Sequence, residues 1–252
     1  MFMKLKRVPT GIGDLDILIE GGLRQGKTYL VIGEPGTGKT VFGLQFLMNG
    51  LREKEKGLYV AIDEKPADVI EQAASMGWDL APYIDSKEFL ILDASAYFNT
   101  RAVDGQAKSI DIQRILTDLN NYIARSGATR LVIDPVGPLL FPKDATSRML
   151  ALDQARMLFH GLQANPNTTN LLTTYAIERN ARGIEEYLVS GTFVLEMELV
   201  NRRFARTVTI EKMRSTALEP AQYGFTIAPE RGIVLDGSAE LHGLSVFSAE
   251  SL

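Results

Sequence analysis

The chain contains no cysteine, two histidines and one tryptophan. Without cysteine there is no disulfide framework and no thiolate metal site. His160 and His242 stand far apart in sequence, which argues against a histidine-built zinc site. No apolar run is long enough to span a bilayer. The opening Met1-Phe2-Met3-Lys4-Leu5-Lys6-Arg7 lacks the apolar core of a signal peptide, so the expected compartment is the cytoplasm, with no membrane partner. An excess of positive charge is missing too. The 27 Lys and Arg against 31 Asp and Glu leave a net charge of −4, which speaks against a globally basic nucleic-acid surface and leaves a local patch open. What remains is a chain of 252 residues, 45% hydrophobic and 23% charged. That suits one large α/β domain with a sizeable core.

Gly33-Glu34-Pro35-Gly36-Thr37-Gly38-Lys39-Thr40 reads G-x-x-x-x-G-K-T, the phosphate-binding loop pattern. Its glycines let the backbone curl so that successive N–H groups face one phosphate group. Lys39 can reach the β- and γ-phosphates, and the Thr40 hydroxyl can hold Mg2+. The context is a strand before the loop, Thr28-Tyr29-Leu30-Val31-Ile32, and a helix after it. The helix is expected to run from about Lys39, through the apolar stretch that opens at Val41, to about Lys56 and to stop at Gly57, and it turns its positive end to the phosphates.

Further buried strands are expected at Leu58-Tyr59-Val60-Ala61-Ile62, Glu88-Phe89-Leu90-Ile91-Leu92-Asp93, Arg130-Leu131-Val132-Ile133-Asp134 and Asn170-Leu171-Leu172-Thr173-Thr174-Tyr175. Asp63 and Glu64 follow the first of these, where open α/β sheets place ligands. They fit a general base or water-positioning group, and equally a charge complement to the next helix N-terminus. Asp134 sits at the Walker B position, where a carboxylate supports Mg2+. Thr173 or Thr174 could sense a γ-phosphate. Asp14 is expected to cap a short early helix, with Leu15, Leu18 and Ile19 inward. Helices are expected over 67–77 with Val69, Ile70, Ala73 and Met76 inward, over 109–126 with Tyr122 on the apolar side, and over 145–161 with Met149, Leu152, Met157 and Leu158 inward. Residues 97–109 read as a loop, and the apolar residues of 135–142 either face a partner subunit or plug the local core. From Thr192 the pattern alternates and returns from Arg206 as an antiparallel hairpin. Lys212 and Arg214 could be solvated edge charges or cations for a γ-phosphate. Residues 1–236 form the expected domain and 237–252 a loose tail.

Together these residues resemble the KaiC-like branch of the RecA superfamily of ATPases. The resemblance rests on Pro9-Thr10-Gly11-Ile12, Asp16, Gly21-Gly22-Leu23, the phosphate loop, Gln45-Phe46-Leu47, Tyr59 to Glu64 and Ala73-Ala74-Ser75-Met76-Gly77-Trp78-Asp79. Asp134, Thr173-Thr174, Glu185-Glu186 and Lys212-Met213-Arg214 complete it. It implies a RecA-like P-loop NTPase core: a mostly parallel central sheet flanked by helices, with a C-terminal antiparallel hairpin. It also implies a homo-oligomeric ring of six with ATP between neighbours. Asp63 and Glu64 then serve hydrolysis, and Lys212 and Arg214 reach nucleotide on the adjoining subunit. The chain departs from the family at Tyr175, where a glutamate is frequent, and at Asp63, which replaces a usual glutamate. The adjacent Ser-Thr pair of the clock proteins is missing, so autokinase activity does not carry over.

The expected function is an Mg2+-dependent ATPase ring in a regulatory switch with a protein partner. Glu64, Asp63 and Lys39 carry the chemistry. Gly33, Glu34, Pro35, Gly36, Thr37, Gly38, Lys39, Thr40, Val41, Lys212 and Arg214 hold ATP, and Thr40 with Asp134 holds the metal. The competing readings are a DNA-acting recombinase relative, on the strength of Arg202-Arg203-Phe204-Ala205-Arg206, and a non-hydrolysing ATP-binding scaffold of a motility motor.

Overall fold

The apolar runs form the centre of one sheet. The computed structural model describes residues 6–97, 111–140, 148–175, 188–218 and 221–236. A small lead-in precedes the sheet: β1 (Arg7–Val8), α1 (Gly13–Leu18) and β2 (Leu23–Arg24), with β1 and β2 antiparallel. Then follow β3 (Thr28–Gly33), α2 (Lys39–Arg52), β4 (Gly57–Ala61), α3 (Pro66–Ser75), α4 (Ala81–Asp85) and β5 (Phe89–Asp93). After a 3-10 turn at Ser95–Tyr97 come α5 (Ile112–Ser126), β6 (Arg130–Asp134), α6 (Gly137–Leu140), α7 (Arg148–Gln163) and β7 (Thr169–Thr174). The chain continues through β8 (Gly191–Val200), β9 (Arg203–Met213), β10 (Gln222–Ala228) and β11 (Gly232–Leu235).

Among the described residues the main sheet runs β11-β10-β9-β8-β3-β7-β6-β4-β5. From β8 to β5 neighbouring strands are parallel, and β9, β10 and β11 extend it antiparallel. Parallel strands are covered on both faces and so read as unbroken apolar runs. In β3, Tyr29 and Val31 face one core with α1, α2 and α3, while Leu30 and Ile32 face another with α5 and α7. The loops at the C-terminal ends of β3, β4, β6 and β7 therefore converge at one rim.

Several local expectations are corrected. The helix after the phosphate loop stops at Arg52, short of Lys56. Its last turn closes through Glu55 N to Gly50 O at 2.8 Å, with Lys54 at φ 60°. Gly57 is not the stop: it opens β4, where an added Cβ would lie 3.0 Å from Leu47 and 3.2 Å from Phe89. Asp14 does not cap α1, whose N-cap is Ile12 without a side-chain bond. Asp16 instead accepts from Thr10 N at 2.7 Å, Thr10 Oγ1 at 2.8 Å and Gly11 N at 3.1 Å. Burial still pushes its carboxyl above the usual range. Ile70, Tyr122 and Met157 are exposed, so the inward stripes of α3, α5 and α7 are narrower than their apolar content suggests. The short helices α4 and α6 were not anticipated. Val136 and Leu139 do plug the core. Glu185, Glu186, the 237–252 tail and most of the 97–109 loop lie outside the described residues.

The β8–β9 hairpin carries one irregularity. Thr192 pairs with Lys212 and Phe193 with Ile210, so Glu211 is an extra residue on β9. A bulge of this kind reverses the side-chain alternation beyond it. Ile210 and Met213 consequently share the α2 face. Lys212 pairs with Thr192 on the opposite face.

α2 lies close on β6 because its contact positions are small. An added Cβ would stand 3.0 Å from Val132 at Gly43 and 2.4 Å from Arg130 Nε at Gly50. Arg130, 1% exposed, is the clamp beneath this contact. Its Nε donates to Glu55 at 2.5 Å, its NH1 to Pro9 O and Phe46 O at 2.7 Å each, and its guanidinium lies 4.7 Å from the Phe46 ring centroid. One side chain thus joins the lead-in, α2 and β6. Removing one member of a buried ion pair costs on the order of 3–5 kcal/mol. Glu55 is partly exposed and can regain water, so Arg130→Ala is expected at the low end, about 3 kcal/mol by urea unfolding. A loss below about 1 kcal/mol would mean that the clamp is dispensable.

Candidate nucleotide site

The phosphate loop leaves β3 and closes on Glu34. The Glu34 carbonyl accepts from Thr37 Oγ1 at 2.8 Å, Thr37 N at 3.3 Å and Lys39 Nζ at 3.0 Å. Gly38, at φ 111°, is the N-cap of α2 and adopts a backbone conformation closed to side-chain-bearing residues. Gly33 ends β3 and is buried, Glu34, Pro35 and Gly36 are exposed, Thr37 and Lys39 are buried, and Thr40 and Val41 are half-buried. The first N–H groups of α2 have no partner within the helix, so the loop meets the requirements of an anion cradle. Burial lowers the Lys39 ammonium below the usual lysine range, opposed by the charges of Asp134 and Glu34.

Behind the loop, Asp134 ends β6 and is 8% exposed. Its Oδ2 accepts from Thr40 Oγ1 at 2.8 Å and Tyr59 OH at 2.6 Å, and its Oδ1 accepts from Thr173 Oγ1. Burial, then the Asp134 charge, holds the Tyr59 phenol well above its ordinary value, so Tyr59 keeps the proton that it donates to Asp134. The sequence reading of Thr173 as a candidate phosphate sensor becomes something different here: its hydroxyl faces the carboxylate. Among the described residues no three His, Cys, Asp or Glu side chains gather into a metal cage. Mg2+ typically takes one or two protein oxygens and completes its shell with phosphate and water. The Thr40 hydroxyl and the Asp134 carboxylate are oxygen donors of that kind, 2.8 Å apart at the mouth of the loop.

Asp63 and Glu64 follow β4, one strand beyond β6. Asp63 is exposed and its Oδ2 accepts from Tyr175 OH at 3.0 Å. Glu64 is half-buried and accepts from Gln72 Nε2 at 2.7 Å, one side chain of α3 holding another residue's carboxylate in place. The Tyr175 ring centroid lies 5.0 Å from Lys39 Nζ. The structure therefore brings Lys39, Thr40, Asp134 and Asp63 into one connected group.

Lys212 and Arg214 are not in it. Gly33 stands beside Leu195 on β8, whereas Lys212 pairs with Thr192, three residues and about 10 Å back along the sheet. Arg214 lies farther still, with its N–H on Ser190 O. A different cation occupies the loop. Arg206 pairs with Met197, beyond Leu195, and its Nε and NH2 both lie 3.4 Å from Gly36 O. Sequence reasoning missed Arg206 and Tyr59 as site residues. Each reaches the site through strand pairing, Arg206 on β9 beyond β8 and Tyr59 on β4 beside β6, and nothing local in the sequence signals it. The remaining arginines of that cluster, Arg202 and Arg203, are exposed at the hairpin tip beside exposed Leu199 and Phe204.

Comparison with known proteins agrees with this geometry. The family model described as “ATPase: KaiC” matches residues 8–240. The circadian clock oscillator protein KaiC of Thermostichus vulcanus is 36% identical over 229 residues, covering 89% of this chain and 43% of that protein. The chain thus spans less than half the length of such KaiC relatives. The UPF0273 protein PH0284 of Pyrococcus horikoshii is 31% identical over 238 residues, covering 91% of this chain and 94% of that protein. The crystal structure of the KaiC-like protein PH0186 from Pyrococcus horikoshii matches with a TM-score of 0.77 and 32% identity, over 92% of this chain and 99% of that one. With the phosphate loop, the buried aspartate and the sheet order in register with one another, the chain belongs to the KaiC family of RecA-superfamily ATPases and carries one copy of its domain.

Proposed function

We propose that this protein is an Mg2+-dependent ATPase that works as a ring, probing its own nucleotide from one subunit and its neighbour's from the next. The observation that carries the reading is the group around Asp134. A buried carboxylate held by three hydroxyls faces the phosphate loop, with an acidic pair on the adjoining strand end. Bound Mg2+ would neutralise phosphate charge there. Lys39 would exchange the Glu34 carbonyl for phosphate oxygens, and Arg206 would stand as a second cation on the same loop. Glu64, kept in place by Gln72, would orient or activate water, with Asp63 beside it. The remoteness of Lys212 and Arg214 from their own loop supports a role on a neighbour's nucleotide, where a trans cation is worth roughly 10³–10⁵ in rate. A regulatory switch acting on a protein partner is the use we assign to hydrolysis, in keeping with the clock function named for the KaiC relatives.

One observation favours a second reading, the non-hydrolysing scaffold: Asp63 is engaged by the Tyr175 hydroxyl. Turnover separates the two. Lys39→Ala is expected to abolish ATP binding. Glu64→Gln is expected to keep binding and lose about 10²–10⁴ in kcat. Glu64→Gln turning over like the wild type would remove Glu64 from the mechanism.

The trans assignment has its own test. Lys39→Ala and Arg214→Ala subunits, each inactive alone, are expected to regain part of the activity when mixed and reassembled. Demonstrably mixed rings with no regain would place Arg214 outside the neighbour's site.

A further inference from the structure

Tyr175 is the residue that links the two halves of the site. It follows the last residue of β7, next to the loop strand β3 on one side and β6 on the other. Its hydroxyl crosses above β6 to Asp63, which follows β4. That is two strand spacings, about 9.6 Å between backbones, a span that a short side chain cannot cover. Its ring meanwhile faces the Lys39 ammonium at 5.0 Å. The two contacts use different parts of the side chain. The ring face attracts a cation through its quadrupole, and the hydroxyl donates to a carboxylate.

We propose that Tyr175 is a positioning residue for nucleotide turnover, its ring steadying Lys39 for the phosphates and its hydroxyl fixing Asp63 beside Glu64. This deepens the ATPase reading and rests on it. The phenol is suited to this task and not to proton transfer. Its pKa is pushed up to about 12, by burial first and then by the hydrogen bond and charge of Asp63. At neutral pH it is a permanent donor. The ring stands in for part of the water that Lys39 loses on burial, and adds to the charges of Asp134 and Glu34 that favour the ammonium. The hydroxyl takes up one oxygen of Asp63 and leaves the other for water or for Glu64. A carboxylic acid in place of Tyr175 could not do either, since it would attract Lys39 away from phosphate and repel Asp63.

The two contacts can be separated by substitution. Tyr175→Phe keeps the ring and loses the hydroxyl. It is expected to bind ATP within about twofold of the wild type while kcat falls about tenfold. Tyr175→Leu loses both, and its Kd for ATP is expected to weaken about three- to tenfold in addition. Tyr175 is 40% exposed, so neither variant removes core packing. A merely structural residue would not split Kd from kcat in this order. Wild-type kcat in Tyr175→Phe, or wild-type Kd in Tyr175→Leu, would overturn the inference.

A readout independent of turnover completes the test. With 13C-labelled tyrosine, the Tyr175 signal, identified by its loss in Tyr175→Phe, is expected to stay protonated at pH 10.5. In Asp63→Ala it is expected to begin ionising there. Identical titration in the two proteins overturns the link to Asp63. If the wild type binds ATP without hydrolysing it, the ATPase reading falls. The binding and titration results then still decide for or against Tyr175.

Discussion

The buried carboxylate of Asp134 is the constraint on which the site depends. A charge removed from water must be met by hydrogen bonds or it destabilises the fold. Here it is met by hydroxyls from three directions: Thr40 from α2, Tyr59 from β4 and Thr173 from β7. Satisfying the charge therefore fixes the rotation of the loop helix and the relative heights of three strand ends. Packing makes this possible. Gly43 and Gly50 let α2 settle on β6, and Arg130 closes the far end of the same contact. The site is held from both ends of one helix–strand pair.

The second organising element is the antiparallel extension. β9 places Arg206 on the phosphate loop and carries Lys212 and Arg214 away from it. β11 is tied to α2 by Gln45, whose Nε2 donates to Ile233 O and whose Oε1 accepts from Ile233 N. The extension is thus part of the same rigid body as the loop helix. A cation on its far end therefore keeps a fixed relation to its own phosphate loop.

What was legible in the sequence follows a physical rule. The strands showed because burial on both faces leaves an unbroken apolar run, as in β3 and β6. The loop showed because glycine at positive φ and a lysine at fixed spacing have few other uses. The family resemblance supplied the rest of the architecture. What did not show was decided across the sheet. Tyr59 reads as one more apolar strand residue until β6 brings Asp134 beside it. Arg206 reads as part of a surface cluster until pairing with Met197 places it over Gly36. The end of α2 was misplaced because Gly57 suits a helix stop, and Leu47 of α2 with Phe89 on the adjacent strand shows why it must be small. Asp14 suits a helix cap by spacing, yet it is Asp16, inside α1, that holds the backbone of Thr10 and Gly11.

The extra residue at Glu211 has a consequence for how this domain can vary. A strand is a two-beat rhythm, and one inserted residue shifts its phase. On the turn side of Glu211 the even-numbered Arg206, Val208 and Ile210 share one face, and beyond it the odd-numbered Met213 takes that face while Lys212 turns to the other. Point substitutions at Glu211 preserve that arrangement. Deleting Glu211 would leave Lys212 opposite Thr192 and Met213 opposite Gly191, so the strand can lose this one residue without any neighbouring side chain changing face.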